Sequence, residues 1–145
     1  MQPTGNSARE PLLDVDSLKF ADVVRHWGRE RLVHEVLVAQ ELARGIIRDG
    51  LRFQSVDPKW EKSTTVFRGE PLVGYSARQD LPPVMLRAKV LEHLFAVVDA
   101  NVEPELGRFT QEFVTRTAFR QWLIHTGRPL PAFWYGGDER FNSNR

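Results

Sequence analysis

Residues 29–49 read RERLVHEVLVAQELARGIIRD, and their periodicity decides how the rest of the chain must be arranged. On a helical wheel Leu32, Val33, Val36, Leu37, Ala39, Gln40, Leu42, Ala43, Ile46 and Ile47 fill one arc of more than half the circumference. An arc that wide implies burial against two neighbours. Glu30, His34, Glu41, Arg44 and Arg48 take the opposite sector, so one side stays wet, as in a packed globular helix and unlike a membrane span. Gly28 is expected to break or bend the chain ahead of this helix, since glycine costs about 1 kcal/mol in a helix interior. Gly50 supplies a C-terminal cap. Gly45 sits inside the helix at the same cost as Gly28, which predicts close approach by another backbone.

Upstream, Asp16 or Ser17 caps a helix running through Trp27, with Leu18, Ala21, Val24 and Trp27 facing inward. Downstream the period changes. Leu51, Phe53 and Ser55 alternate with Arg52 and Gln54 until Asp57-Pro58 stops the run. Residues 64–78, TTVFRGEPLVGYSAR, read as two strands joined at Gly69-Glu70, and Pro71 marks an edge. A sheet of two or three such strands is stable only when laid on something apolar, which the central helix supplies.

Leu81-Pro82-Pro83 opens a second core helix over 83–100, with Val84, Ala88, Val90, Leu91, Leu94, Phe95, Val97 and Val98 in one arc. A shorter helix follows at 103–113, carrying Leu106, Phe109 and Phe113; Thr115 caps another that reaches Thr126 and ends at Gly127. Residues 129–135 are too apolar to float free and are expected to run back across the helices, packing Phe133 and Trp134. The fold class is therefore α+β, predominantly helical, with two core helices (29–49 and 83–100), a small antiparallel hairpin or three-stranded sheet, and a C-terminal helical pair. A single globular domain is expected over 16–135, between flexible segments at 1–15 and 136–145.

A chain of 145 residues fits one domain. Its 41% hydrophobic and 27% charged content is ordinary for a folded protein. The formal net charge of +1 is spread evenly and recommends no partner by itself. The absence of cysteine excludes disulfides, thiolate catalysis and cysteine-ligated zinc. The start has no apolar run of signal-peptide length, and no window approaches the roughly 20 apolar residues of a spanning helix. A cytoplasmic, membrane-free protein is expected. Arginine outnumbers lysine 16 to 4, which points to a GC-rich, bacterial source.

The residues with the clearest functional signal lie at 103–126. Two helices with a tight join have the raw geometry of a helix-turn-helix, and the second presents Arg116, Thr117, Arg120 and Gln121 on one side. These side chains reach base edges and phosphates. The competing reading is a helical hairpin that caps the core. Arg44, Arg48 and Arg52 recur every four residues, but cations near a helix C-terminus are favoured by its dipole regardless. Arg87 falls inside the apolar arc of the second core helix and needs a partner or an exit; Glu35 is the expected partner in a structural ion pair. His26, His34, His93 and His125 form no ligand set, and no phosphate loop, dinucleotide fingerprint or nucleophile elbow is present. No cofactor and no metal are expected. Trp60, in a loop after Asp57-Pro58-Lys59, and Ile124 are the expected interface residues.

These readings converge on a non-catalytic bacterial accessory or regulatory protein that works by binding, as a subunit of a larger assembly with a protein partner and, as a further component, nucleic acid. The alternative is a stand-alone DNA-binding regulator using the pair at 103–126. A third reading is an enzyme with a site near His34 or Arg87.

Overall fold

The computed structural model describes residues 15–55, 61–76 and 86–136. Trp60 and most of the two expected flexible segments, 1–15 and 136–145, lie outside these residues. Elements follow in the order β1 (Ser17–Lys19), α1 (Phe20–Arg31), α2 (Glu35–Arg48), β2 (Phe53–Ser55), β3 (Glu61–Phe67), β4 (Glu70–Ser76), α3 (Ala88–Asp99), a 3-10 turn at Leu106–Arg108, β5 (Glu112–Thr115), α4 (Arg116–His125) and α5 (Ala132–Tyr135). The class is α+β with helix predominating, as the periodicity predicts. Among the described residues no helix is long and apolar enough to cross a membrane.

β5 is the centre of a three-stranded antiparallel sheet, flanked by β1 and β2. Leu18 and Phe53 both face Val114 across it, and all three are fully buried. β3 and β4 form a separate hairpin that lies alongside β1. The hairpin arises where the sequence places it. Its turn is Arg68-Gly69, not Gly69-Glu70, because both of these residues hold positive φ (54° and 81°), as a two-residue hairpin turn requires.

The central helix begins later than expected. The break falls at residues 32–34, and Gly28 stays inside α1. Leu32 turns left-handed (φ 55°), and the Val33 amide bonds back to the Gly28 carbonyl at 2.9 Å. A Cβ on Gly28 would meet the Val33 oxygen at 2.9 Å, so this glycine serves a close crossing and not a stop. The predicted apolar arc is correspondingly too wide. Val38, Ala39, Leu42 and Ala43 are buried, while Leu37 is 55% exposed. α2 packs on α3, whose Val90, Leu94 and Val97 are buried, but Leu91 and Phe95 of that helix look outward.

The largest departure is at 103–113. No helix forms there; the chain makes the 3-10 turn at Leu106–Arg108 and then enters β5. Leu106, Phe109 and Phe113 reach the interior from a turn and a strand, with Phe109 stacked on Phe20 at 3.9 Å. The C-terminal pair is therefore α4 and the single turn α5. That turn packs as expected: Phe133, Trp134 and Tyr135 are all fully buried.

Candidate interaction surface

The corner between α1 and α2 is built by residues that each solve one backbone problem. α1 closes through the left-handed Leu32, whose own amide bonds to Arg29 O at 3.3 Å. His34 then caps α2, its Nδ1 accepting the Val36 N–H at 3.1 Å. The corner leaves Leu32 92% exposed and Leu37 55% exposed, with half-buried Val33 between them. Arg25, Gly28, Arg29, Leu32, Val33, His34 and Glu35 line an open cleft of about 340 Å³ beside this tip. Its cations are engaged: Arg25 with Asp22 at 2.9 Å and Arg29 with Glu70 at 3.1 Å. The result is an apolar tip ringed by ion pairs.

The four residues expected to read nucleic acid lie on adjoining sides of α4, with Thr117 and Gln121 exposed and Arg116 and Arg120 half-buried. Arg116 donates from Nη2 to the Trp134 carbonyl, lies 5.8 Å from the Tyr135 ring centre, and its own carbonyl accepts the Tyr135 hydroxyl at 2.7 Å. Burial pushes that phenol's pKa up. Arg120 is half-buried, with no acceptor for its buried Nε among the described residues. Thr117 and Gln121 point outward, as does Ile124 at 37% exposure. With 103–113 in a turn and a strand, the helix-turn-helix expected at 103–126 has no first helix.

Arg87 does form an ion pair, but with Glu112 and not Glu35. Its Nε and Nη2 bind the two carboxylate oxygens at 2.8 and 2.9 Å. The Ser55 hydroxyl donates to the same carboxylate at 2.7 Å and accepts the Arg87 amide at 2.9 Å. Burial raises the Glu112 pKa, yet the bonds from Arg87, Ser55 and the Gln111 amide outweigh it and hold the group below its usual value. Glu35 instead lies exposed in the first turn of α2, where the helix dipole favours an acid. The Arg87, Glu112 and Ser55 cluster ties β2, β5 and the start of α3 together, and its carboxylate is fully committed.

A second cluster has the same character. Glu41 is bound by Arg31 at 2.8 Å and Arg128 at 2.6 Å, and these guanidiniums lie over Trp27 and Trp122. Burial raises the Glu41 pKa, but the two arginine bonds prevail and lower it. Among the described residues no three His, Asp or Glu side chains converge as metal ligands do. The sequence does not reveal the corner at Leu32, because this leucine continues the apolar period of the helix that follows. No family model, no curated protein and no solved structure matches the chain.

Proposed function

We infer that the protein acts by binding, as a non-catalytic accessory subunit that seats a protein partner on the α1–α2 corner. One observation carries the reading: Leu32 is a leucine 92% exposed on a left-handed backbone. Glycine is the low-energy residue at such a helix end, and an L side chain there costs about 1–2 kcal/mol. A residue that is strained in place and gains nothing from burial is expected where a second molecule supplies the burial. The fitting partner offers an apolar pocket for Leu32 and Leu37, with a polar rim to meet the surrounding ion pairs.

The test is affinity recovery from extract of the source cells, comparing wild type with Leu32→Gly and Leu37→Ser. A stoichiometric protein partner is expected on wild type and lost on both variants. Equal recovery on Leu32→Gly, or no stoichiometric partner on wild type, ends the reading.

Nucleic-acid contact remains a second reading because Arg52, Gln121 and His125 line one cleft of about 170 Å³ between the end of α2 and α4. Asp49 lies in the same cleft, accepting the Trp122 indole N–H at 3.4 Å. Retention on duplex DNA that weakens steeply with salt, and a shallower slope in Arg52→Ala with Gln121→Ala, is the expected result. No retention at low salt removes it.

A further inference from the structure

The register of the β3–β4 hairpin fixes which backbone groups face outward. The two-residue turn Arg68-Gly69 makes Phe67 and Glu70 a hydrogen-bonded pair. Pairs then alternate along the ladder, so Thr65–Leu72 and Ser63–Gly74 bond across it. Lys62, Thr64 and Val66 consequently turn their N–H and C=O groups away from β4. Pro71 stands opposite Val66, at a pair that exchanges no hydrogen bond, which is where its missing N–H is harmless. β1 lies against β4. Among the described residues no strand pairs with the outer edge of β3.

Edge strands are ordinarily protected by charge, proline, a bulge or a covering element. This strand carries charge only at its start, Glu61 and Lys62; from Ser63 to Phe67, STTVF, it has no charge and no proline, and its register is unbroken. Thr64 is exposed and Val66 is 71% exposed. On the same outer face stand exposed Pro71 and half-buried Val73. Among the described residues nothing covers the edge or the face beside it.

We propose that the occupant is a second copy of this chain, with β3 running antiparallel to β3 about a two-fold axis at Thr64. An edge paired with itself in this way is a closed, isologous contact. Full overlap of the strand sets Thr64 opposite Thr64 and Lys62 opposite Val66, and every outward N–H and C=O of Lys62, Thr64 and Val66 gains a partner. Moving the axis to Thr65 sets Lys62 at the position opposite Arg68, and moving it to Lys62 sets two lysines opposite each other. Both place like charges at facing positions, which is unfavourable in a sheet. The net charge of +1 offers little overall repulsion to association. The contact is separate from the α1–α2 corner and does not depend on it.

Light scattering with size exclusion, and native mass spectrometry, across the micromolar to millimolar range test the proposal on the full chain. Wild type is expected to pass from monomer to dimer with concentration. Val66→Lys changes an exposed side chain and sets lysines at both symmetry-related positions facing Lys62, weakening the dimer about tenfold or more. Val66→Glu sets carboxylates there instead; that dimer is expected to persist at low salt and weaken as salt rises. Thr64→Pro, checked for fold by far-UV circular dichroism, removes an outward N–H and should be monomeric. A monomeric wild type at all concentrations, a dimer indifferent to Val66→Lys, or a Val66→Glu variant that dissociates as Val66→Lys does would each overturn it.

Discussion

His26 is fully buried, and neither ring nitrogen has a hydrogen-bond partner among the described residues. It packs edge-on to Phe67 at 5.3 Å and against Phe133 at 5.8 Å. Burial, reinforced by the nearby Arg29 charge, lowers its pKa from 6.5 to about 4. Because the folded value lies below the unfolded one, the unfolded chain binds the proton first. Stability is fully present above pH 6.5 and is lost as pH falls towards about 4, by a total near 3 kcal/mol. Urea titrations at several pH values should show that loss in wild type and a clearly smaller one in His26→Leu. The variant should also be more stable at neutral pH by about 1–3 kcal/mol, since two desolvated nitrogens disappear. Identical pH profiles would remove the argument. Leu32 is strained in a different way, and Leu32→Gly should raise stability by about 1 kcal/mol in the same assay. A drop instead would mean that the leucine makes contacts within the fold. At this scale the sequence shows needs more readily than their solutions. That the Arg87 guanidinium needed a partner or an exit was legible from its apolar neighbours, and it has both, standing exposed ahead of α3; that Glu112 answers it was not, because the partner depends on where β5 lies.

Elements with a long period were legible and short ones were not. The hairpin, the cap of α4 at Thr115 and the inward run at 132–135 follow from local signals of turn, cap and apolar density. β1 and β5, at 3 and 4 residues, are too short to show any period. The spacing of Leu106, Phe109 and Phe113 imitates a helix, although Pro104 and Gly107 were available as contrary signs. Gly45 tests how tightly the correct helices are packed. A close backbone was expected beside it, but the neighbour is the Trp122 ring, which a Cβ would meet at 2.8 Å. Helix propensity alone favours Gly45→Ala by about 1 kcal/mol. Overpacking against a ring that is also held by Arg128, 4.3 Å from its centre, costs about 1–3 kcal/mol. We expect the clash to win, giving a net loss of about 1 kcal/mol in chemical denaturation. A stabilised Gly45→Ala would show that Trp122 moves aside freely.

For the described residues as a whole, the decisive contacts are those of α5 with Val15, α1 and α4. The Trp134 indole donates to the Val15 carbonyl at 3.0 Å, and its ring lies 5.9 Å from that of Phe119 in α4. Glu30 at the end of α1 accepts the Ala132 and Phe133 amides at 2.7 and 2.8 Å, filling the role of a helix cap from a distant element. Arg116 holds the other end of the turn. α5 thus joins Val15, ahead of β1, with α1 and α4 in one set of mutually dependent contacts, and its removal cannot be a local event. Trp134→Ala should cost about 3–5 kcal/mol, a large part of the roughly 5–15 kcal/mol available to a domain. Tryptophan fluorescence, to which Trp27, Trp60 and Trp122 also contribute, and far-UV circular dichroism should shift to lower urea together and remain superimposable. If both transitions stayed where they are in wild type, α5 would be an appendage docked on an independently stable body and not a member of its core.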